Sequence, residues 1–129
     1  MPERAGITRA YGMAALAWAA LVVLQVFLAG LAIFGAESFS THRNFGNVLH
    51  PLTAVLLILA IAGPRTRRDI GMAVGLVVLV TVQIGLVSAR DDAPGLAALH
   101  PVLAIVAMGL AAHMGVHALR ASRSPRAAA

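Results

Sequence analysis

The chain of 129 residues has no cysteine, no lysine, one tryptophan, one tyrosine and only five acidic side chains. The absence of cysteine excludes disulfide scaffolds, zinc–thiolate sites, iron–sulfur clusters and covalently attached c-type haem. Charged residues make up 12% of the chain, whereas hydrophobic residues make up 60% even without counting glycine. An ordinary soluble domain is about 45–50% apolar with glycine included. The composition therefore excludes a soluble globular enzyme, and it also excludes a disordered chain.

The net charge is +5, and all ten basic residues behind it are arginine. A basic chain can indicate a nucleic-acid partner. Here the arginines lie at the ends of apolar segments instead of forming one basic face. We therefore expect a lipid bilayer as the partner and no nucleic acid. The use of arginine without lysine, beside abundant alanine, glycine, valine and leucine, is typical of GC-rich coding and indicates a bacterial source.

Four long stretches lack any charged residue, and they lie between Arg9 and Glu37, Arg43 and Arg65, Asp69 and Arg90, and Asp92 and Arg120. Each reaches the roughly 20 residues that a helix needs to cross about 30 Å of hydrocarbon. None shows the alternation of a strand, so the stretches predict transmembrane helices over residues 10–36, 45–63, 70–89 and 95–119. The first apolar run is longer than that of a cleaved signal peptide, and we expect it to be retained. The predicted fold is one all-α domain over 1–129, a four-transmembrane-helix antiparallel bundle.

The arginines also predict an orientation. Eight lie on one side of the predicted bundle: Arg4, Arg9, Arg65, Arg67, Arg68, Arg120, Arg123 and Arg126. The other side has two, Arg43 and Arg90. By the positive-inside rule, both termini should be cytoplasmic in a multi-pass protein of the bacterial inner membrane.

A shift of 50 residues aligns Leu49-His50-Pro51 with Leu99-His100-Pro101. The helix before each motif carries one glutamine, Gln25 or Gln83. These features predict a repeated helical hairpin over 10–63 and 70–119, with the two copies related by an axis along the membrane normal.

The repeat singles out two histidines, His50 and His100, both inside predicted spans. An ionisable residue inside a membrane span is by default a candidate functional residue. Counted from the nearest charged residues, His50 and His100 both lie roughly 10–12 Å below the external boundary. Two imidazoles at one depth on facing helices suit bis-histidine ligation of haem b. Each following proline leaves the carbonyl of Asn47 or Ala97 without its helical donor, and we expect such an acceptor to orient an imidazole.

Three further residues fit the same site. Gln83 is predicted to lie at the depth of the two histidines. Arg43 and Arg90, the only basic residues predicted outside, are placed to pair with haem propionates. The predicted cofactor site therefore consists of His50, His100, Gln83, Arg43 and Arg90, with His50 and His100 as the iron ligands.

The remaining histidines carry weaker predictions. His42 is expected in the external loop, without a special role. His113 and His117 are four residues apart and share a helix face, which suits a metal pair. We favour a structural role for both, with His117 at the membrane interface.

Residues 25–35, His42-Arg43, Gly46 and Leu99-His100-Pro101 resemble a family of small bacterial four-helix membrane proteins of unestablished function. More distantly, the hairpin repeat with histidines on its second helices is similar to halves of haem A synthase and to b-type membrane cytochromes. That resemblance implies haem bound in a four-helix bundle by paired histidines, here His50 and His100. The chain departs from haem A synthase in lacking a second bundle and a catalytic carboxylate.

The sequence leaves different functions open. One is a small haem b-binding redox subunit that exchanges electrons with a quinone or a partner subunit. The alternative is a cofactor-free accessory subunit, in which histidine and glutamine form interhelical hydrogen bonds. Movement of protons or metal ions along the histidines is a third hypothesis, disfavoured because the spans lack an acidic residue. Association with further copies of the chain is compatible with each of them.

Overall fold

The computed structural model describes residues 2–123, with side chains from residue 5 onward. All regular elements in this part of the chain are helical. They are α1 (Pro2–Ile33), α2 (Phe39–Ala62), α3 (Arg67–Leu86), a short 3₁₀ turn (Val87–Ala89), α4 (Pro94–Ala97) and α5 (Leu99–Arg123). The tail arginine Arg126 lies outside the described residues, as does the side chain of Arg4.

Four stretches are long and apolar enough to cross a membrane: Ala5–Ile33, Phe39–Ala62, Arg67–Ala89 and Pro94–Arg123. Helix α1 packs against α2 and α5, and α3 packs against the same two helices. Because the connections between successive spans are short, neighbouring helices run antiparallel. The predicted fold, an all-α four-helix membrane bundle, is confirmed.

The α1–α2 connection and the α3–α5 connection lie at one end of the bundle, here named the double-loop end. The α2–α3 connection and the described ends of the chain lie at the other, the terminal end. At the double-loop end, Gly35 adopts a positive φ of 76° just beyond α1. Its N–H donates to Ala32, and the N–H of Ala36 donates to Leu31, so the chain turns in a Schellman motif.

Helix α2 begins six residues before the predicted position of 45. The Ser38 side chain caps it by accepting from the backbone N–H of Ser40. The apolar stretch starts only after Arg43, so a boundary drawn from hydropathy misses the first turn of the helix. Arg43 therefore lies within α2 and not in a loop.

The two His-Pro motifs have different effects on their helices. Pro51 lies inside α2, which continues through it. In the fourth span a turn at Ala98 separates α4 from α5, three residues before Pro101. Proline cannot donate a backbone hydrogen bond four residues back, which fits the interruption at this point.

Two glycines, Gly12 and Gly115, bring helices α1 and α5 into close contact. A Cβ built on Gly115 would lie 2.9 Å from the carbonyl oxygen of Gly12 and 2.7 Å from Leu16 Cγ. Glycine at this crossing therefore allows the two backbones to approach, as small residues do between membrane helices.

The buried positions of the helices recur at an offset of 58 residues, whereas the Leu-His-Pro tripeptide recurs at 50. With this offset the buried residues of α2 (Leu49, Thr53, Leu56, Ala60) correspond to buried residues of α5 (Ala107, Ala111, Met114, Ala118). Those of α1 (Tyr11, Ala15, Trp18, Val22) match those of α3 (Asp69, Ala73, Leu76, Val80).

The Leu-His-Pro alignment is not structurally equivalent, because Leu49 is buried and Leu99 is exposed. In apolar helices a matching tripeptide is weaker evidence of register than the positions that face the core.

Candidate functional site

A cavity of about 560 Å³, here named the large cavity, opens at the double-loop end. Its walls come from Gln25 on α1, the first turns of α2, the last turn of α3 with the 3₁₀ turn, and His100 at the start of α5. Polar groups stand beside apolar ones such as Phe39, Ile84 and Val87. The volume lies in the range of small-molecule sites.

His100 is the second residue of α5 and is partly buried. Its Nδ1 lies 2.9 Å from the backbone carbonyl oxygen of Gln83. Because a carbonyl oxygen can only accept, Nδ1 carries the proton and donates. Nε2 is then the basic nitrogen, the form in which an imidazole binds a metal.

His42, in the first turns of α2, has the same arrangement. Its Nδ1 donates to the backbone carbonyl oxygen of Gln25 at 3.0 Å. The Gln25 side-chain amide donates to the His42 carbonyl oxygen at 2.8 Å and lies 3.3 Å from His42 Nε2. The prediction that His42 lies in a loop is wrong, since the residue is helical. Its side chain lines the large cavity.

The two imidazoles lie next to each other on the cavity wall. Their ring centroids are 6.3 Å apart, and the planes meet at 74°. Phe39 makes a T-shaped contact with the His42 ring, with centroids 6.4 Å apart. An aromatic contact and a backbone hydrogen bond thus hold the His42 ring.

A second cavity of about 50 Å³, here named the small cavity, lies between the four long helices and shares Gln25 and His100 with the large one. Trp18 contributes to its wall, and the Trp18 indole N–H donates to the Leu49 carbonyl oxygen at 3.0 Å. The side-chain oxygens Oε1 of Gln25 and Gln83 are buried and have no protein donor. A buried acceptor without a partner is costly, so these oxygens indicate a site for a hydrogen-bond donor.

His50 lines the small cavity, but its imidazole reaches across to α3. Nε2 lies 3.0 Å from Thr81 Oγ1, and this hydroxyl donates its own hydrogen to the Val77 carbonyl oxygen at 2.8 Å. The His50 Nε2–H must therefore donate to Thr81. Of the two histidines predicted as iron ligands, His100 faces the large cavity, whereas His50 joins α2 to α3.

The other predicted site residues lie near His100. Arg43 and Arg90 both line the large cavity. Arg90 also approaches Asp91, at 3.5 Å, on the exposed surface. Gln83 contacts His100 through its backbone carbonyl, so the depth assigned to it relative to His100 is correct. The imidazoles are oriented by carbonyls of Gln25 and Gln83, and not by those of Asn47 and Ala97.

Sequence reasoning missed His42 and the structural role of Gln25. A signal was present: Gln25 and His42 are 17 residues apart, as are Gln83 and His100. The Leu-His-Pro tripeptide favours His50 instead. The spacing of glutamine and histidine is preserved between the hairpins, whereas the tripeptide occupies different structural positions.

At the terminal end, His113 and His117 stack with ring centroids 6.2 Å apart, as their shared helix face predicts. His117 Nδ1 lies 3.4 Å from Asp69 Oδ1, which makes an ion pair when the imidazole is protonated. The other oxygen of Asp69 accepts from Thr66 in a capping box at the start of α3. Across residues 2–123, no group of three or more histidine or acidic residues is placed to hold a metal ion.

The fold and this cavity define a small multi-pass membrane protein with paired imidazoles at one end of a four-helix bundle. Residues 25–90, about half of the chain, match DUF6220, a family of unknown function, and the chain belongs to that family. The match covers the Gln25–His42 contact and Gln83 and ends before His100. Neither the curated proteins nor the solved structures contain a match. The distant similarity to haem A synthase and b-type cytochromes therefore has no support from these comparisons.

Proposed function

We propose that this chain binds one haem b in the large cavity, with His100 as an axial ligand, and acts as a small one-electron redox subunit of its membrane. The observation that carries the proposal is the His100 Nδ1–H donated to the Gln83 carbonyl oxygen. This bond leaves Nε2 unprotonated and orients the ring, as is typical of histidine ligands to metals.

The chemistry of the large cavity fits a planar, amphipathic, dianionic molecule. Phe39, Ile84 and Val87 supply apolar surface for a macrocycle. Arg43 and Arg90 supply two guanidinium groups for carboxylates. A haem iron takes four nitrogens from the porphyrin and only its axial ligands from protein, so no larger cluster of ligating side chains is required.

A bound haem b would supply reversible one-electron transfer at this position. The chain's own residues would perform three tasks: the Gln83 carbonyl orients the His100 ring, the arginines would pair with the haem carboxylates, and the apolar walls would pack against the macrocycle. The distribution of arginines supports an external location for the double-loop end. A quinone or a redox subunit at that surface is the class of partner that we propose.

The competing function is a cofactor-free accessory subunit. The hydrogen bond from His50 to Thr81, and that from Trp18 to the Leu49 carbonyl, favour it, because they join helices without any ligand. Such bonds contribute only about 0.6–2 kcal/mol each in membranes. They account for His50 and Trp18 but not for the paired imidazoles.

The test is the reduced-minus-oxidised absorption spectrum of the full chain, purified in detergent after expression with haem available. We expect a Soret band and a bis-histidine α-band in the wild type, lost or strongly weakened in His100→Ala. His113→Ala is the matched control, because His113 is an exposed histidine of the same helix, and it should retain the spectrum. A folded but colourless wild type would refute the haem proposal and favour the accessory subunit.

A further inference from the structure

We propose that His42, and not His50, is the second axial ligand, so that each hairpin contributes one equivalent half of the site. The inference rests on the proposed haem site and assigns its ligand on α2. Each half consists of a glutamine on the first helix of a hairpin and a histidine 17 residues later on the second.

The two halves share their spacing and the hydrogen bond from histidine to the glutamine backbone. Gln25 and Gln83 are 58 residues apart, as are His42 and His100, and this is the offset that aligns the buried faces of the helices. In each half the histidine Nδ1 donates to the glutamine backbone carbonyl, at 3.0 and 2.9 Å. Both imidazoles therefore have Nε2 as the basic nitrogen.

The separation of the rings suits a shared iron. A metal–imidazole bond is about 2 Å long, and a ring nitrogen lies about 1.2 Å from the centre of its five-membered ring. Two imidazoles bound on opposite sides of one iron would thus have centroids roughly 6.4 Å apart. The centroids of His42 and His100 are 6.3 Å apart. The angle of 74° between the planes is compatible with this arrangement, because each ring can rotate about its own metal–nitrogen bond.

Gln25 explains how the His42 ring is held without iron. Its amide nitrogen lies 3.3 Å from His42 Nε2 and donates to the His42 carbonyl oxygen at 2.8 Å. Iron binding at Nε2 would replace only the longer of these contacts. The bonds to the His42 backbone and from His42 Nδ1 remain available to orient the ring.

His50 does not meet the same requirements. It lies eight residues after His42 on α2, which corresponds to about 80° of rotation and 12 Å of rise. Its Nε2 carries the proton that it donates to Thr81. Ligation by His50 would require loss of that interhelical bond and a change of tautomer.

The experiment compares His42→Ala and His50→Ala in the full chain, each with haem available during expression. Wild type and His50→Ala should show the low-spin spectrum of six-coordinate iron. His42→Ala should lose haem or give a high-spin, five-coordinate spectrum. Helix content and gel-filtration profile are measured for every variant, so that misfolding is recognised.

Imidazole added to His42→Ala, reconstituted with haemin where needed, provides a second measurement. It should restore the low-spin spectrum by occupying the vacated ligand position, which a structural role for His42 would not explain. An unchanged low-spin spectrum in His42→Ala, or its loss in His50→Ala with a folded protein, would overturn the ligand assignment. A colourless wild type would refute the haem proposal itself, and the two failures are therefore distinguishable.

Discussion

At the scale of single residues, the main chain and the side chain of the two glutamines have different roles in the site. The backbone carbonyls of Gln25 and Gln83 accept from histidine, whereas the side-chain oxygens are buried without a donor. Gln83 is 9% exposed, so bulk water does not compensate this oxygen. A change in the side chain of Gln83 therefore leaves in place the backbone carbonyl that orients His100.

This separation makes Gln83→Leu informative. Leucine keeps the backbone carbonyl and removes a buried acceptor whose desolvation costs about 1–3 kcal/mol when it is unpaired. We expect the thermal stability of the detergent-purified, ligand-free protein to be unchanged or raised, measured by circular dichroism. The two variants differ in what they remove. Gln83→Leu keeps the carbonyl that orients His100, whereas His100→Ala removes the imidazole itself and should change the absorption spectrum. A clear loss of stability in Gln83→Leu would show that Oε1 has a partner, such as a bound water.

At the scale of helices, the crossing of α1 and α5 depends on two glycines. Each occupies a position where a Cβ would meet the opposite helix, and Gly115 has the shorter distances. A side chain there must push against the backbone of Gly12, which cannot move without the whole helix. Overpacking of this kind costs typically about 1–3 kcal/mol.

We therefore expect Gly115→Leu to lower the midpoint of thermal unfolding and to broaden the gel-filtration profile in detergent. Gly109→Ala on the same helix is the control, because a Cβ there meets nothing within 4 Å. Alanine is favoured over glycine within a helix by about 0.5–1 kcal/mol, so this variant should be at least as stable as wild type. Equal stability of the two variants would contradict the close crossing.

The helices themselves follow from the sequence, because the requirement to satisfy the backbone in hydrocarbon leaves few alternatives for long apolar stretches. The first residues of the helices are harder to predict from the sequence. Helix α2 begins at Phe39 through the Ser38 cap, although the apolar stretch starts beyond Arg43. Depth counted from Arg43 consequently placed His50 level with His100, whereas the residue beside His100 is His42.

At the scale of the whole molecule, the repeat decides which residues meet on the bundle axis. Arg43, Arg90, Gln83 and His100 were predictable as neighbours, because charged boundaries and helix rise determine their depth. The partner of His100 was not predictable in this way. The choice between His42 and His50 depends on how α2 is rotated about its own axis. The buried faces define that rotation through the 58-residue offset, and a tripeptide match does not.

The orientation of the bundle is a prediction that the absence of cysteine makes easy to test, since any introduced thiol is unique. Ala36 at the double-loop end and Ala121 at the terminal end are both exposed, and replacing either with cysteine changes no charge. The positive-inside rule predicts that a membrane-impermeant maleimide labels Ala36→Cys in bacterial cells with a permeabilised outer membrane. Ala121→Cys should react only after the inner membrane is disrupted.

Labelling of Ala121→Cys alone in intact inner membranes would reverse the orientation and place the paired imidazoles on the cytoplasmic side. Equal labelling of both variants before disruption, with a cytoplasmic thiol protein unlabelled in the same cells, would contradict a single orientation.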